Sequence, residues 1–284
     1  MMMKHRPRKR FGQNFLTEPW ARKVVAAIAP VSGDVFLEIG PGAGALTFPL
    51  AESGAPILAV EIDRDLVAQL ASRAPANVTI VSGDVLETDV LPYLSGLQPR
   101  RAAGADPLGP SIRRFRVVGN LPYNLSTPIM FKLIEWQQRS GVFLDATVML
   151  QREVADRLVA TPRSKAYGVL TILLGLHARV TRLLDLPPGA FRPAPKVRSS
   201  VVRLEFRPPP VRVVDAELFE RVVKGIFGQR RKTLANALKS IVPNPQAVLT
   251  AAGIDPRRRP ETLDLAELSR LVEQTAGTLR SAVL

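Results

Sequence analysis

The segment Asn120-Leu121-Pro122-Tyr123 has the residue types needed to hold and activate an aromatic amine. The Asn120 side-chain oxygen and a backbone carbonyl at Leu121 or Pro122 can accept from the two N–H bonds of that amine, which favours a pyramidal, nucleophilic nitrogen. Proline fixes φ and shapes the turn that carries the carbonyl, while the Tyr123 ring can stack on a base taken out of its stack. The segment predicts chemistry at the amino group of adenine or cytosine, although by itself it is also typical of a β-turn.

This chemistry needs no strong general base, because the amine proton becomes acidic once the nitrogen is alkylated. Positioning and oriented dipoles then lower most of the barrier. The chain has no cysteine and two histidines, His5 and His177, which excludes thiolate zinc sites and cysteine nucleophiles. We therefore expect no metal and a cofactor that supplies the transferred group.

A glycine-rich segment at 38–44 (EIGPGAG) follows an apolar run and precedes a helical pattern. Glycine lets the backbone approach a ligand closely at a helix N-terminus, so Gly40 and Gly42 are candidate cofactor-binding residues. Residue 45 is alanine, so the G-x-G-x-x-G fingerprint of dinucleotide sites is incomplete. An acidic residue at the strand end, Glu38, also suits the cationic end of S-adenosylmethionine better than a pyrophosphate.

Two further acidic residues follow successive predicted strands. Glu61 lies 21 residues after Gly40, where a carboxylate can accept from both ribose hydroxyls of a nucleoside cofactor. Asp84 ends the next predicted strand, where a carboxylate can accept from the adenine amine. Because the carboxyl ends of parallel strands meet at one edge of a sheet, these acids and the glycine-rich segment predict an S-adenosylmethionine site.

The elements that would position these residues alternate along the chain. Predicted strands cover 35–39, 56–63, 78–84, 114–120 and 145–151. Predicted helices cover 18–29, 45–53, 64–74 and 128–138. This order predicts an α/β fold with a Rossmann-like parallel sheet.

A proline run at 208–210 predicts a domain boundary. Residues 1–207 would form the Rossmann-like domain with its basic N-terminal arm. The pattern beyond is helical at 216–241, 245–253 and 265–280, so residues 208–284 predict a small all-helical domain. The segment 95–113 is rich in glycine, proline and arginine and reads as a long surface loop with some affinity for RNA.

The charge balance predicts a polyanionic partner. The net charge is +14, from 39 basic and 25 acidic residues, and phosphate neutralisation supplies affinity without a sequence code. A basic arm contains Lys4, Arg6, Arg8, Lys9 and Arg10. No signal-peptide core or long apolar stretch is present, so we expect a cytoplasmic protein without membrane spans.

Taken together, the motifs resemble the rRNA adenine N6,N6-dimethyltransferase family from Lys9 to about Arg258. The matching segments are 10–16 (RFGQNFL), 38–44, 120–123, 151–155 (QREVA), 165–168 (KAYG), 191–197 (FRPAPKV) and 230–236 (RRKTLAN). The family methylates two adjacent adenosines near the 3′ end of small-subunit rRNA, with S-adenosylmethionine as the methyl donor. The 95–113 segment departs from the family's pattern.

The resemblance implies roles for residues that the pattern alone does not assign. Asn14, Leu16 and Asn120 would contact the cofactor. Phe191 would form the second aromatic face of the base pocket, opposite Tyr123, although simple core packing is the alternative for this residue. In the helical domain the basic residues Arg230, Arg231 and Lys232 would grip phosphates.

The resemblance also implies a small-subunit particle or precursor as substrate, and nothing in the sequence demands more than a monomer. One alternative is the related large-subunit rRNA adenine methyltransferase of macrolide resistance. Another is a ribosome-assembly or RNA-binding factor in which catalysis is dispensable. An NAD-dependent oxidoreductase is disfavoured, because the dinucleotide fingerprint is incomplete and no histidine lies near the motif.

Overall fold

The computed structural model describes residues 13–97 and 115–281. The basic arm and most of the 95–113 segment lie outside these residues. The strands are β1 (Phe15–Leu16), β2 (Phe36–Ile39), β3 (Ile57–Glu61), β4 (Val78–Ser82), β5 (Phe115–Asn120), β6 (Phe143–Gln151), β7 (Ala178–Leu186), β8 (Phe191–Arg192) and β9 (Ser199–Phe206). The helices are α1 (Glu18–Ile28), α2 (Thr47–Ala51), α3 (Arg64–Ala71), α4 (Leu91–Gly96), α5 (Ser126–Ser140), α6 (Arg152–Leu158), α7 (Val169–Gly175), α8 (Ala216–Gly228), α9 (Leu234–Ala237), α10 (Pro245–Ala251) and α11 (Leu265–Ser281).

Seven strands form one sheet in the order β4-β3-β2-β5-β6-β9-β7. The neighbours from β4 to β6 are parallel, whereas β9 runs antiparallel to β6. The predicted Rossmann-like α/β sheet is confirmed, and β7 and β9 extend it beyond the five predicted strands. The strand order reverses between β2 and β5, and open α/β sheets bind ligands at the carboxyl edge of such a switch point.

The central strands are apolar because both faces of the sheet are covered. Every residue of β2 and β3 is buried, which is typical of parallel strands between layers of helices. Helix α1 buries Ala21, Val24 and Ile28, the residues at helical spacing on one face. This packing holds the carboxyl ends of β2, β3 and β5 in a fixed relation.

The chain divides into two compact units. The first contains residues 1–155 and 180–206, and the second contains residues 156–179 and 207–284. The predicted boundary after residue 207 therefore differs from this division over residues 156–179. Tyr167, Ile172 and Leu176 belong to the hydrophobic core of the second unit, and the Tyr167 hydroxyl donates to the Leu263 carbonyl at 2.9 Å. The residues that Tyr167, Ile172 and Leu176 contact in this core lie far along the chain. No local sequence pattern therefore indicates that residues 156–179 belong to the second unit.

The helical prediction for the C-terminal region is confirmed, with one interruption. The helix predicted at 216–241 ends at Gly228 and restarts at Leu234. Between them the Lys232 amide donates to the Gln229 carbonyl in a turn. The first amides of α9 donate instead to the carbonyls of Pro256 and Arg258, so a tertiary contact caps the new helix start.

Candidate active site

A cavity opens at the switch point between β2 and β5. Its empty volume, which includes the open solvent at the mouth, is about 740 Å³. It is lined by residues of the N-terminal segment, the glycine-rich turn, the end of β3 and the turn after β5. These are Gln13, Asn14, Phe15, Leu16, Glu38, Gly40, Pro41, Gly42, Ala45, Leu46, Glu61, Ile62, Leu66, Asn120, Leu121, Pro122 and Tyr123.

The glycine-rich turn after β2 depends on glycine at two positions in particular. Gly42 has φ +59°, and a Cβ there would lie 3.0 Å from the Phe15 ring. Gly44 has φ +90°, and a Cβ there would meet the Phe48 ring. The turn therefore needs both a left-handed backbone and the absence of a side chain, which leaves its amides close to the cavity.

Glu61 supports this turn from the end of β3. Its Oε2 accepts from the Gly42 amide and its Oε1 from the Asp63 amide, each at 2.9 Å. Burial raises the pKa of the Glu61 carboxyl, and the two amide hydrogen bonds oppose that rise. A carboxylate offers about four acceptor sites, and backbone amides use three at most, so Glu61 can hold the turn and still accept from a ligand.

Glu38 is the most unusual charge in the cavity wall. It is 1% exposed, and its Oε2 has no hydrogen-bond partner among the described residues. Burial raises the pKa of the Glu38 carboxyl to about 7, the Thr47 hydroxyl opposes this rise, and the charge of Glu61 adds a smaller rise. A buried acceptor without a partner is costly unless a ligand satisfies it. The carboxylate is therefore placed to receive a cationic group.

This geometry predicts a pH-dependent cofactor affinity. The Glu38 carboxyl is neutral well below about pH 7 and ionised above it, and only the ionised form attracts a cation. S-adenosylmethionine affinity should rise with pH toward about 7 and then level off. Glu38→Gln should bind at least about tenfold more weakly at about pH 8, with a smaller pH dependence than the original chain, by isothermal titration calorimetry.

The same substitution should stabilise the ligand-free protein. The folded-state pKa of Glu38 lies above its ordinary value, so its stability contribution is complete at low pH and is lost as pH rises through about 7. Glu38→Gln should therefore raise the melting temperature at about pH 8. Glu87→Gln, an exposed acid of the same unit, is the control and should change neither property. Equal affinity of Glu38→Gln and the original chain across the pH range would contradict this role.

Asn120 ends β5 and faces the glycine-rich turn across the cavity. Its Nδ2 donates to the Asn14 carbonyl at 2.7 Å. That bond orients the amide and leaves Oδ1 as the acceptor for another group. The Pro122 carbonyl accepts from the Leu125 amide at 3.0 Å, so Leu121 supplies the less engaged of the two predicted carbonyls.

Tyr123 lies on the same turn, in the cavity wall. Its hydroxyl hydrogen-bonds with Ser199 Oγ at 2.6 Å, which anchors the ring to the start of β9. Burial raises the pKa of the Tyr123 hydroxyl, so it is neutral at physiological pH. The ring is therefore a fixed, uncharged surface suited to stacking.

Gly119, which the sequence analysis did not single out, sets the approach of β5 to β2. A Cβ at this position would lie 2.7 Å from the Ile39 carbonyl oxygen and 3.1 Å from Leu121. A glycine inside a strand is a recognised sign of such close approach. Its absence of a side chain keeps Asn120 close to the cofactor turn.

We expect Gly119→Ala to separate the two strands at the switch point. Overpacking of this kind costs about 1–3 kcal/mol of unfolding free energy, and misplacement of Asn120 should lower turnover at least about tenfold. Chemical denaturation and a methylation assay measure the two effects. Gly96→Ala is the control, because a Cβ there meets nothing within 4 Å. Unchanged turnover in Gly119→Ala would show that this spacing does not matter.

Two predicted residues do not reach the cavity in this structure. Asp84 is not among its described lining residues, and its Oδ1 accepts from the Leu86 amide at 2.9 Å. Phe191 is 0% exposed and belongs to the core of the first unit. It pairs with Leu16 between the short strands β8 and β1.

Other lining residues were not predicted individually. Gln13 Nε2 donates to Asp63 Oδ2 at 3.0 Å, which links the N-terminal segment to the start of α3. Ile62 lines the cavity and is 42% exposed, so it offers an apolar surface beside Glu61. Ile62 directly follows the strand-end acid Glu61, and this position could have indicated that Ile62 lines the cavity.

Among the residues that the structure describes, no cluster of three or more His, Asp or Glu side chains could hold a metal ion. Within the same residues, no helix is long and apolar enough to cross a membrane.

The comparisons with known proteins decide the family. The model of a family described as ribosomal RNA adenine dimethylase matches residues 4–276. The chain belongs to this family. A ribosomal RNA small subunit methyltransferase A of Aromatoleum aromaticum is 48% identical over 97% of each chain. Its counterpart in Pseudomonas aeruginosa is 42% identical, again over 97% of each chain.

Solved structures agree on the fold. A dimethyladenosine transferase of Plasmodium falciparum has a TM-score of 0.70 at 22% identity and covers 93% of this chain and 98% of its own. The 23S rRNA methyltransferase ErmE has a TM-score of 0.62 at 24% identity and covers 93% of this chain and all of its own. As a member of the family, the chain is an S-adenosylmethionine-dependent rRNA adenine methyltransferase, which confirms the predicted enzyme class and cofactor.

The cavity fits this cofactor on the evidence of its own residues. The partnerless Oε2 of Glu38 suits the cationic amino-acid end. The glycine-rich turn admits close approach, and Glu61 keeps acceptor capacity for hydroxyl groups.

Proposed function

We propose that the chain transfers methyl groups to N6 of two adjacent adenosines near the 3′ end of small-subunit rRNA, giving dimethyladenosines. The observation that carries the proposal is the orientation of Asn120, whose Nδ2 is held by Asn14 so that Oδ1 can accept from an amine. The names of relatives that match both units of the chain support the choice of small-subunit RNA. They do not favour the large-subunit alternative.

The proposed mechanism rests on holding the amine rather than on a strong base. S-adenosylmethionine, when bound, supplies a methyl group on a positively charged sulfur. Asn120 Oδ1 and the Leu121 carbonyl would accept from the two N6 hydrogens, which favours a pyramidal nitrogen whose lone pair is no longer conjugated with the ring. Once that nitrogen is methylated it carries a positive charge, and its acidic proton would be released to solvent. Because these acceptors are held before the substrate arrives, they need no reorganisation during the reaction.

Binding residues divide between the cofactor and the base. Glu38, Gly40, Gly42 and Glu61 would hold the cofactor, together with Asn14, Leu16 and Asp84. For Asp84 this requires its carboxylate to keep the Leu86 bond while it accepts from the adenine amine.

Tyr123 would stack on one face of the flipped adenine. Phe191 would form the opposite face only after its ring becomes exposed, because it is fully buried here. Dimethylation further requires the pocket to accept an amine that already carries one methyl group.

The second unit would contact the ribosomal particle. Arg231 and Lys232 are exposed and suited to phosphate contacts. Arg230 differs, because its guanidinium donates to the carbonyls of Lys165 and Ser164 at 2.8 and 3.0 Å. We assign Arg230 mainly to holding this turn. The proposed substrate is a 30S-type particle or precursor in the cytoplasm, bound by a monomer.

Labelled methyl transfer tests the proposal. The protein is incubated with radiolabelled S-adenosylmethionine and with small- or large-subunit particles that lack the modification. Label should enter the small-subunit RNA alone. Label in large-subunit RNA would overturn the proposal, and so would an absence of label in both particles.

A further inference from the structure

The segment 192–198, here called the bridging loop, is tied at both ends to residues of the catalytic cavity. At its start, Phe191 pairs with Leu16 in the β1–β8 ladder, and Leu16 lines the cavity. At its end, Ser199 Oγ hydrogen-bonds with the Tyr123 hydroxyl at 2.6 Å. The loop therefore lies beside the mouth from which a flipped base would enter, and both anchors belong to the first unit.

The bridging loop carries an excess of exposed positive charge. Arg192, Lys196 and Arg198 are all exposed. A fourth cation, Arg152, joins them because its backbone amide donates to the Arg198 carbonyl at 2.9 Å. We call these four residues the cationic rim. The rim stands at the carboxyl edge of β6, since Gln151 pairs with Ser199, and this edge also carries Asn120.

Two carboxylates lie near the rim and do not cancel its charge. Asp185 Oδ1 accepts from Ser200 Oγ at 2.5 Å. That bond, followed by the charges of Arg182, Arg152 and Arg198, lowers the pKa of the Asp185 carboxyl. Glu153 is the second acid, on the first turn of α6. Four rim cations therefore face two nearby acids, and the surface keeps a net positive charge.

We propose that the cationic rim binds the phosphodiesters that flank the methylated adenosine and so sets the register of the RNA strand at the cavity. This deepens the proposed function and rests on it. A base stacked on Tyr123 would leave its phosphates outside the cavity, and Arg198 directly precedes Ser199, whose hydroxyl bonds to Tyr123. Arginine and lysine side chains are suited to bind phosphate oxygens. An acidic protein partner would also fit the charge, but it would not explain why the loop is hydrogen-bonded to Tyr123, the residue on which the base would stack.

The test removes two rim charges without touching the cavity wall. Lys196→Ala/Arg198→Ala should raise KM for unmethylated small-subunit particles about tenfold at moderate salt, because two phosphate contacts are lost. Each lost contact should also lower the slope of log affinity against log salt concentration by about 0.7–0.9. The turnover number at saturating particles should stay within about twofold, and S-adenosylmethionine affinity should not change.

The matched control removes one lysine and one arginine from α5. Lys132→Ala/Arg139→Ala takes both charges from α5, whose Gln137 side chain accepts from the Phe143 amide at the start of β6. That end of β6 is opposite the rim, so this variant should leave KM and the salt slope unchanged. A second variant, Lys196→Arg/Arg198→Lys, keeps the charge and should restore both values. Restoration also excludes a merely structural effect of the alanines.

The outcomes separate this inference from the proposed function. If the unaltered protein does not methylate small-subunit particles, the proposed function fails. If it does, but Lys196→Ala/Arg198→Ala keeps the original KM and salt slope, the rim is not a phosphate site. An equal loss in the α5 control would also overturn the inference, because the effect would then be one of total charge.

Discussion

Asn120→Ala should lower the rate of methyl transfer about a hundred- to a thousandfold, the cost typical of losing one preorganised dipole at a reacting centre. The reason is geometric, since Asn120 Nδ2 is already tied to the Asn14 carbonyl and only Oδ1 remains to accept from the substrate. S-adenosylmethionine affinity should fall by no more than about threefold, because the glycine-rich turn and Glu61 hold each other without Asn120. Single-turnover kinetics and calorimetry separate the two effects.

Asn124→Ala is the matched control for this prediction. Asn124 lies on the same turn and is exposed, so its loss should leave the methyl-transfer rate within about threefold. Asn120→Asp keeps an acceptor oxygen but loses the donor to Asn14, and it should fall between the other two variants. A rate for Asn120→Ala that matches Asn124→Ala would remove Asn120 from the chemistry.

Arg116→Met should destabilise the first unit by about 3–5 kcal/mol, the cost of leaving buried charges without their partner. Arg116 is 5% exposed, and its NH1 and NH2 lie 2.8 and 3.0 Å from Asp34 and Asp145. Its NH2 also donates to the Ile28 carbonyl at the end of α1. The two carboxylates outweigh burial and raise the pKa of Arg116, so the charge persists at every physiological pH. Urea denaturation measures the loss.

Arg22→Met is the control, because the ion pair of Arg22 with Glu18 leaves both side chains more than half exposed. Its loss should cost less than about 1 kcal/mol. Neutralising the whole buried group with Arg116→Met/Asp34→Asn/Asp145→Asn should recover much of the stability lost by the single variant. If Arg116→Met were no more destabilised than Arg22→Met, the network would not support α1 as described.

The cofactor side of the cavity could be predicted from sequence because its signals are local. Each strand-end acid follows an apolar run directly, and the glycine-rich turn lies between a strand and a helix. Parallel topology then brings Glu38 and Glu61 together without further information. The orphaned Oε2 of Glu38 could not be predicted, since burial of one oxygen depends on the packing of several segments.

Features that depend on contacts between distant segments could not be predicted from the sequence. Gly119 matters because Ile39 lies beside it in the neighbouring strand. Gln13 matters because its side chain donates to Asp63, which lies 50 residues further along the chain. The second unit includes residues 156–179, whose apolar side chains find their partners far along the chain. Arg230 is predicted to bind phosphate, and the sequence does not show that its guanidinium also donates to the carbonyls of Ser164 and Lys165.

Mass spectrometry of the nucleosides made by the protein tests the central claim most directly. Unmethylated small-subunit particles are treated with the protein and S-adenosylmethionine, and the RNA is digested both to nucleosides and to mapped fragments. The account predicts N6,N6-dimethyladenosine at two adjacent adenosines near the 3′ end of that RNA. Methylated cytosine, or adenosine that stops at a single methyl group with the cofactor in excess, would contradict it.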